Sequence, residues 1–416
     1  MRIAWQGALG AGDGGVNYAA LQVIQGLRRK GAKIDCYVAG PVADVPAILR
    51  GDPGIAVVNR APRWAWDRWY SRNPLSAFVT GQSARGFAQL ALARLLAREH
   101  ARRPYDVVYQ FSQIELFGIR YLRSALPPIV LHPEVHAAGE LTWHRRESHL
   151  ASRGETALKR SAARAVLAAR TVRQRRDIAL ARRVIAPSQI FASHLAADYG
   201  FPRYRISVVP NPIDLERFAP SPARSANRNG APVRVLFVSR LAVRKGVELV
   251  TALSHRLADL VGEVRIEVIG DRSLWSDYRA LMADLNPAIA SYEGSLDSAR
   301  LADAYRNADL VIQPSHYEPF ALTVGEALAS GVPVVASSEV GATEGVSPEC
   351  CAVFPAGDLN GFEGAVRGLV DRIRQGEGPA LNRRARGEAE RLFSVDGVSD
   401  GILDSLETAI RDRPGR

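Results

Sequence analysis

Short apolar runs alternate with stretches of helical periodicity along the whole chain. In the first half, residues 2–6, 33–39, 107–109, 129–132, 183–186 and 206–210 read as strands. In the second half, residues 233–239, 265–269, 290–292, 310–313, 334–336 and 351–354 do so. Amphipathic stretches such as 16–30, 247–260, 298–307 and 322–330 lie between them and predict helices. Strand and helix in alternation predict parallel βαβ units in both halves. Residues 219–232, APSPARSANRNGAP, lack any apolar period and have the composition of a linker. The expected division is a first domain over 1–218, a linker over 219–232 and a second domain over 233–395. Residues 396–416 are expected to carry a C-terminal helix that crosses back to the first domain. Two open α/β sheets facing each other would hold ligands in the cleft outside their strand carboxyl ends.

Length and composition agree with this division. A chain of 416 residues exceeds one hydrophobic core, and 47% hydrophobic with 23% charged residues is globular composition. No apolar run reaches the eighteen residues of a membrane span. The opening MRIAWQGALGAGDGG breaks into glycine and aspartate too early for a signal peptide. Cys36, Cys350 and Cys351 are too few for a disulfide framework and lack zinc-ligand spacing. A cytoplasmic protein without bound metal is expected.

The formal net charge is +11, almost all of it arginine, since Lys30, Lys33, Lys159 and Lys245 are the only lysines. Such a surface attracts phosphates, nucleic acid or anionic lipid. Nucleic acid is disfavoured because no RRM, KH or helix-turn-helix signature is present and aromatics are only 7%. The basic stretch 144–183, with Trp64, Trp66, Trp69 and Tyr70 upstream, suggests peripheral contact with the inner face of an anionic membrane. The bland alternative is a solvated arginine face beside core aromatics.

Three segments carry candidate chemistry, each at an expected strand end. Gly12–Asp13–Gly14–Gly15–Val16–Asn17 opens the first helix, where backbone N–H groups favour an anion; a plain βα turn explains it equally well. In Ser239–Arg240–Leu241–Ala242–Val243–Arg244–Lys245–Gly246, Arg240 and Lys245 lie five apart and can both reach a diphosphate leaving group. In Glu318–Pro319–Phe320–Ala321–Leu322–Thr323–Val324–Gly325–Glu326, two carboxylates lie eight apart. The helix start at Phe320, Ala321, Leu322 and Thr323 offers N–H groups to a phosphate. Glu318 can accept from sugar hydroxyls, and Glu326 from both hydroxyls of a ribose. Such glutamate pairs are common in isolation, so their context decides their meaning.

With these segments in order, the chain resembles the retaining glycosyltransferases of GT-B fold, family 4, over nearly its whole length. QPSHYEPFALTVGEALASGVPVVAS is similar to the family's signature of two glutamates with seven residues between, and SRLAVRKG to its donor-phosphate signature. VIGDRS resembles the family's nucleotide-lining segment, and VIAPSQIFASHL and VVPNPIDLERF resemble the closing segments of its first domain. The resemblance implies two Rossmann-like, doubly wound domains. It implies that Arg240 and Lys245 bind diphosphate, Glu318 the transferred sugar, Glu326 the ribose and backbone near Leu296 the base. Gly270 would line the nucleotide, and Gly14 and Gly15 would approach phosphate and acceptor. His132, at the end of IVLH, corresponds to the family's active-site histidine, with His136 as a rival. The co-substrate would be a UDP-, GDP- or ADP-linked sugar, with no cofactor and no metal. The acceptor would be a glycan or lipid-linked hydroxyl in bacterial cell-surface polysaccharide synthesis, or alternatively a soluble small molecule; a catalytically inactive sugar-nucleotide-binding scaffold is the third reading. Two departures stand out: Ala342 follows Gly341 where the family often has a second glycine, and Pro319 replaces another.

Overall fold

The computed structural model describes residues 1–7, 9, 15–62, 74–220, 230–273 and 277–412, without the side chains of 74–79, 81, 82 and 243. Thirteen strands form two wholly parallel sheets among the described residues.

The first sheet has the order β3-β2-β1-β4-β5-β6-β7. Its strands are β1 (Arg2–Gly7), β2 (Lys33–Val38), β3 (Ile55–Asn59), β4 (Val107–Ser112), β5 (Ile129–Pro133), β6 (Arg183–Ala186) and β7 (Ile206–Val208). The connecting helices are α1 (Gly15–Arg29), the single turn α2 (Ala47–Arg50), α3 (Pro74–Arg102), α4 (Ala137–Arg146), the single turn α5 (Ser148–Ala151), α6 (Ala157–Ile178) and α7 (Gln189–Tyr199). The central strands are mostly apolar because helices cover both faces of a parallel sheet, with Gln110 and His132 as buried polar exceptions toward the strand ends. Trp5, Tyr109 and Phe111 are fully buried on one face, and Val108, Ile129 and Leu131 on the other.

The second sheet has the order β10-β9-β8-β11-β12-β13. Its strands are β8 (Val233–Val238), β9 (Val264–Ile269), β10 (Ala290–Gly294), β11 (Leu310–Gln313), β12 (Val334–Ser337) and β13 (Cys351–Phe354). Around it lie α8 (Val247–Arg256), α9 (Ser298–Asn307), α10 (Leu322–Ala329), α11 (Leu359–Arg372), α12 (Gly378–Phe393) and α13 (Val395–Arg411). In each sheet the strand order reverses beside the first strand, between β1 and β4 and between β8 and β11. Loops leaving those strands diverge and open a crevice.

The chain passes between domains twice, and the passages touch. Ile213 and Phe218 are buried in the second domain's core, and Ile213 N donates to Phe393 O at 2.9 Å. Immediately after Phe393 the chain returns as α13. Val398, Ile402, Leu406 and Ala409, spaced along one helical stripe, bury against α1 and the sheet at β4, β5 and β6. The helix belongs to the first domain's core although it ends the chain.

The edge strand β3 is the one described strand not anticipated from the pattern. Its residues are half-buried or exposed, so GIAVVNR carries only a weak strand signal. The basic stretch 144–183 behaves differently from a free cationic face. Ala151 is buried in the second domain's core, Trp143 stacks on His316 at 4.7 Å, and Arg153 pairs with Asp284. Arg170 donates to Glu115 at 2.7 Å. Part of that charge is thus paired, Arg153 across the domains and Lys159, Arg170 and Arg173 within the first, while Arg145, Arg146, Arg175 and Arg176 remain exposed. Trp64, Trp66, Trp69 and Tyr70 lie outside the described residues. No helix among the described residues is long and apolar enough to cross a membrane.

Candidate active site between the two domains

The turns after β8 and β11 meet at the second sheet's switch point. Lys245 and Arg244 both donate to Glu318 Oε2, Arg244 Nη1 at 3.0 Å. Arg244 Nη1 also donates to Tyr317 O at 3.1 Å, and its Nε lies 3.7 Å from Glu140 of the first domain. Burial, then the Arg244 and Arg240 guanidiniums, push the Lys245 ammonium well below the usual lysine range. The Glu140 carboxylate opposes that push by stabilising the charged form. Arg240, four residues ahead of Arg244, is exposed and within electrostatic reach of Lys245. The sequence pointed to Arg240 and Lys245. The structure adds Arg244, whose signal was only its place inside SRLAVRKG.

The glutamate-bearing loop is shaped by backbone as much as by side chains. Phe320 turns into the core against Phe393, at 5.5 Å between ring centroids. Ala321 precedes α10 with φ 78°, a left-handed conformation that glycine adopts more readily. No side chain caps α10, so its first N–H groups are available to a ligand. Thr323 Oγ1 donates to Gln313 Oε1 at 3.1 Å. Leu322 packs against the cores of both domains. A Cβ added to Gly15, the first residue of α1, would lie 2.9 Å from Leu322 Cδ1. The first residues of two helices, one from each domain, therefore lie close together. Gly14 lies outside the described residues.

The other candidates of the second domain are Glu326, Leu296 and Gly270. Glu326 accepts from Tyr305 Oη at 2.8 Å, and burial pushes its carboxyl up. Leu296, in the turn between β10 and α9, is half-buried against the second core. Gly270 has φ 152°, and a Cβ there would overlap Ser239 O. Its lack of a side chain lets the turns after β8 and β9 lie together, so a packing role accounts for it directly.

In the first domain, His132 lies near the carboxyl end of β5 and Glu134 directly follows that strand. His132 is fully buried, its Nδ1 2.6 Å from Tyr109 Oη. Burial pulls its pKa down to about 3, so the imidazole is neutral. Glu134 accepts from Asn211 Nδ2 at 2.5 Å, and burial pushes its carboxyl up to about 7. His132 Nε2, Glu134 Oε1 and Asn211 Oδ1 are buried without a hydrogen-bond partner. His136, the rival in the sequence, reaches the other domain: its Nδ1 lies 2.5 Å from Tyr317 Oη, next to Glu318.

Direct contacts hold the domains against each other around this site. Ser188, the N-cap of α7, donates to Pro319 O at 2.7 Å. Glu344 accepts from Gln189 N at 2.7 Å and Ile190 N at 2.8 Å, placing a carboxylate on the α7 N-terminus. A Cβ on Gly341 would overlap Pro319 O and lie 2.5 Å from Ser188 Oγ. The retained glycine of Gly341–Ala342 is thus the one that this contact requires. Ala342 is buried within the second core, where its methyl fits.

Two Rossmann-like domains with a cationic crevice between their strand ends define the GT-B class of fold. Residues 13–217 match the family model described as Glycosyltransferase Family 4, and residues 232–372 the model described as Glycosyl transferases group 1. The chain belongs to the family-4, group 1 glycosyltransferases. It is 29% identical to the D-inositol 3-phosphate glycosyltransferase of Xylanimonas cellulosilytica, covering 98% of this chain and 95% of that protein. It is 27% identical to the protein of the same name from Mycobacterium avium, covering 97% and 91%. Among solved structures, sucrose-phosphate synthase from Thermosynechococcus elongatus superposes with TM-score 0.72 at 18% identity, covering 99% of this chain and 100% of that one. Anabaena HepE in complex with UDP-glucose superposes with TM-score 0.65 at 20% identity, covering 98% and 100%. These structural likenesses establish the fold.

Proposed function

We propose that the protein transfers a sugar from a nucleoside diphosphate to a hydroxyl of a small, soluble acceptor, with retention at the anomeric carbon and without a metal ion. The observation that carries the reading is the convergence of Lys245, Arg244 and Glu318 in the turns that precede α8 and α10, with the first residues of α1 and α10 close together.

The donor diphosphate binds between those helix ends. Arg240 and Lys245 neutralise it as the bond from the anomeric carbon to phosphate oxygen breaks. Lys245 exchanges Glu318 for the phosphate, and Glu318 then accepts from hydroxyls of the transferred sugar. Glu326 binds the ribose, and the base lies near Leu296. The acceptor oxygen attacks from the face the phosphate leaves, and a phosphate oxygen takes its proton. Charge that a divalent cation would otherwise stabilise is met by fixed side chains and helix ends. Contact between the domains excludes water from this step. The neutral His132 and the adjacent Glu134 present hydrogen-bonding groups from the first domain toward the reacting sugar.

A small acceptor is favoured over a cell-surface glycan because the relatives matched end to end are named for D-inositol 3-phosphate. Part of the basic stretch that suggested a membrane is engaged inside the protein, Arg153 with Asp284 of the second domain and Arg170 with Glu115. HepE with UDP-glucose makes UDP-sugars the first donors to try. The test is thermal stabilisation by UDP, GDP and ADP, followed by product analysis with inositol phosphates and with anionic vesicles carrying lipid-linked sugars. A transfer product with a soluble polyol phosphate is expected. Transfer only to vesicle-bound acceptors would overturn the acceptor assignment.

A further inference from the structure

The geometry points to His136 as a positioning residue that ties the Glu318 loop of the second domain to the first domain. The inference rests on the role proposed above for Glu318. His136 is the N-cap of α4 and is 1% exposed. Its Nε2 lies 2.5 Å from Asp198 Oδ2 on α7, and its Nδ1 lies 2.5 Å from Tyr317 Oη in the turn after β11.

The chemistry assigns every proton in this chain of contacts. The His136 contact holds the Asp198 carboxyl below its usual range, so it is ionised and only accepts. Nε2 of His136 therefore carries hydrogen and donates to it. Burial keeps the imidazole neutral, which leaves Nδ1 as an acceptor for the Tyr317 hydroxyl. The order is Tyr317 to His136 to Asp198, from the second domain into the first.

Packing fixes the same arrangement. The His136 ring meets Phe191 and Tyr199 at 5.4 Å each and Tyr317 at 5.6 Å between centroids. Tyr317 passes so close to α4 that a Cβ on Gly139 would lie 2.7 Å from its Cζ. From the other side, Arg244 binds Tyr317 O and Glu318 Oε2 with one nitrogen. Tyr317 is thus gripped by both domains, and the next residue is Glu318. Rotation about the Tyr317 backbone would carry the Glu318 carboxylate off the crevice. Displacement of a reacting group by about 1 Å costs on the order of 100-fold in rate. Domain contact and placement of Glu318 are therefore one event.

The experiment uses the full chain with Tyr317→Phe, His136→Gln and His136→Asn. Tyr317→Phe removes one oxygen and retains the ring. Gln can reach Asp198 but offers nothing at the Nδ1 position; Asn can accept there and loses Asp198. Amide hydrogen exchange of residues 314–322 reads the loop independently of activity, and kcat and donor KM read its consequence. Tyr317→Phe and His136→Gln should raise loop exchange about tenfold and lower kcat about 10- to 100-fold, with donor KM within about threefold. His136→Asn should recover most of the protection and rate. Unchanged loop exchange in Tyr317→Phe, or raised exchange with wild-type kcat, would overturn the inference. If wild type turns over no sugar nucleotide, the proposed function fails, and the exchange data alone decide whether His136 tethers the loop.

Discussion

Arg244 donates to Glu318 across 3.0 Å, from the turn after β8 to the turn after β11, while Arg240 stays exposed. The two arginines of one motif therefore do different things. Arg244 is already committed to a protein carboxylate, and Arg240 is the guanidinium free to turn toward a ligand. Arg240→Ala should weaken binding of a nucleoside diphosphate by about 10- to 100-fold, the worth of a charged hydrogen bond of about 1.5–3 kcal/mol. Arg244→Ala should weaken it less and lower kcat more, because Glu318 loses a support. Calorimetric titration of both variants checks this; equal effects on binding would contradict the division.

Gly341→Ala should destabilise the protein by about 1–3 kcal/mol, the usual range for overpacking, because the new methyl meets Pro319 O and Ser188. Glu344→Ala should cost about 1 kcal/mol by uncapping α7. Both residues belong to the contact between domains, so the two losses should not add in the double variant. Urea unfolding measures all three, and full additivity would argue against a shared contact.

His132 and Glu134 make opposing contributions to pH stability. Burial raises the Glu134 carboxyl from 4.5 to about 7, so the folded state holds a proton that the unfolded chain has released. That contribution is complete below about pH 4.5 and is lost as pH rises toward 7. Burial lowers His132 from 6.5 to about 3, so its contribution is complete above about pH 6.5 and is lost on acidification. Between about pH 4.5 and 6.5 the two slopes cancel. Glu134→Gln should expose the histidine slope, losing up to about 1.4 kcal/mol per pH unit on acidification relative to wild type. His132→Gln should show the reverse slope. Denaturant unfolding at several pH values reads both, and parallel curves for all three proteins would refute the pairing.

The layered α/β order was legible because most of the parallel strands are short, mainly apolar runs between amphipathic helices. The exposed edge strand β3 was not, since its side chains are only half-buried. The two-glutamate segment and SRLAVRKG were legible as motifs because their chemistry is contiguous in sequence. Contacts that join distant segments left no such mark. Nothing in LHPEVH shows that His136, rather than His132, touches Tyr317 from 181 positions away. Arg244 likewise looked no different from its neighbours until the fold brought Glu318 and Glu140 to it.

The central claim is that Lys245 and its neighbours stabilise a departing diphosphate, and nucleoside-diphosphate release tests it most directly. Wild type and Lys245→Ala would be incubated with UDP-, GDP- and ADP-sugars and polyol phosphate acceptors, with folding checked by circular dichroism. The account predicts release from at least one donor by wild type and a fall of about 100-fold or more in folded Lys245→Ala, as expected when a group that stabilises transition-state charge is removed. Equal release by the two proteins, or none from any donor by folded wild type, would contradict it.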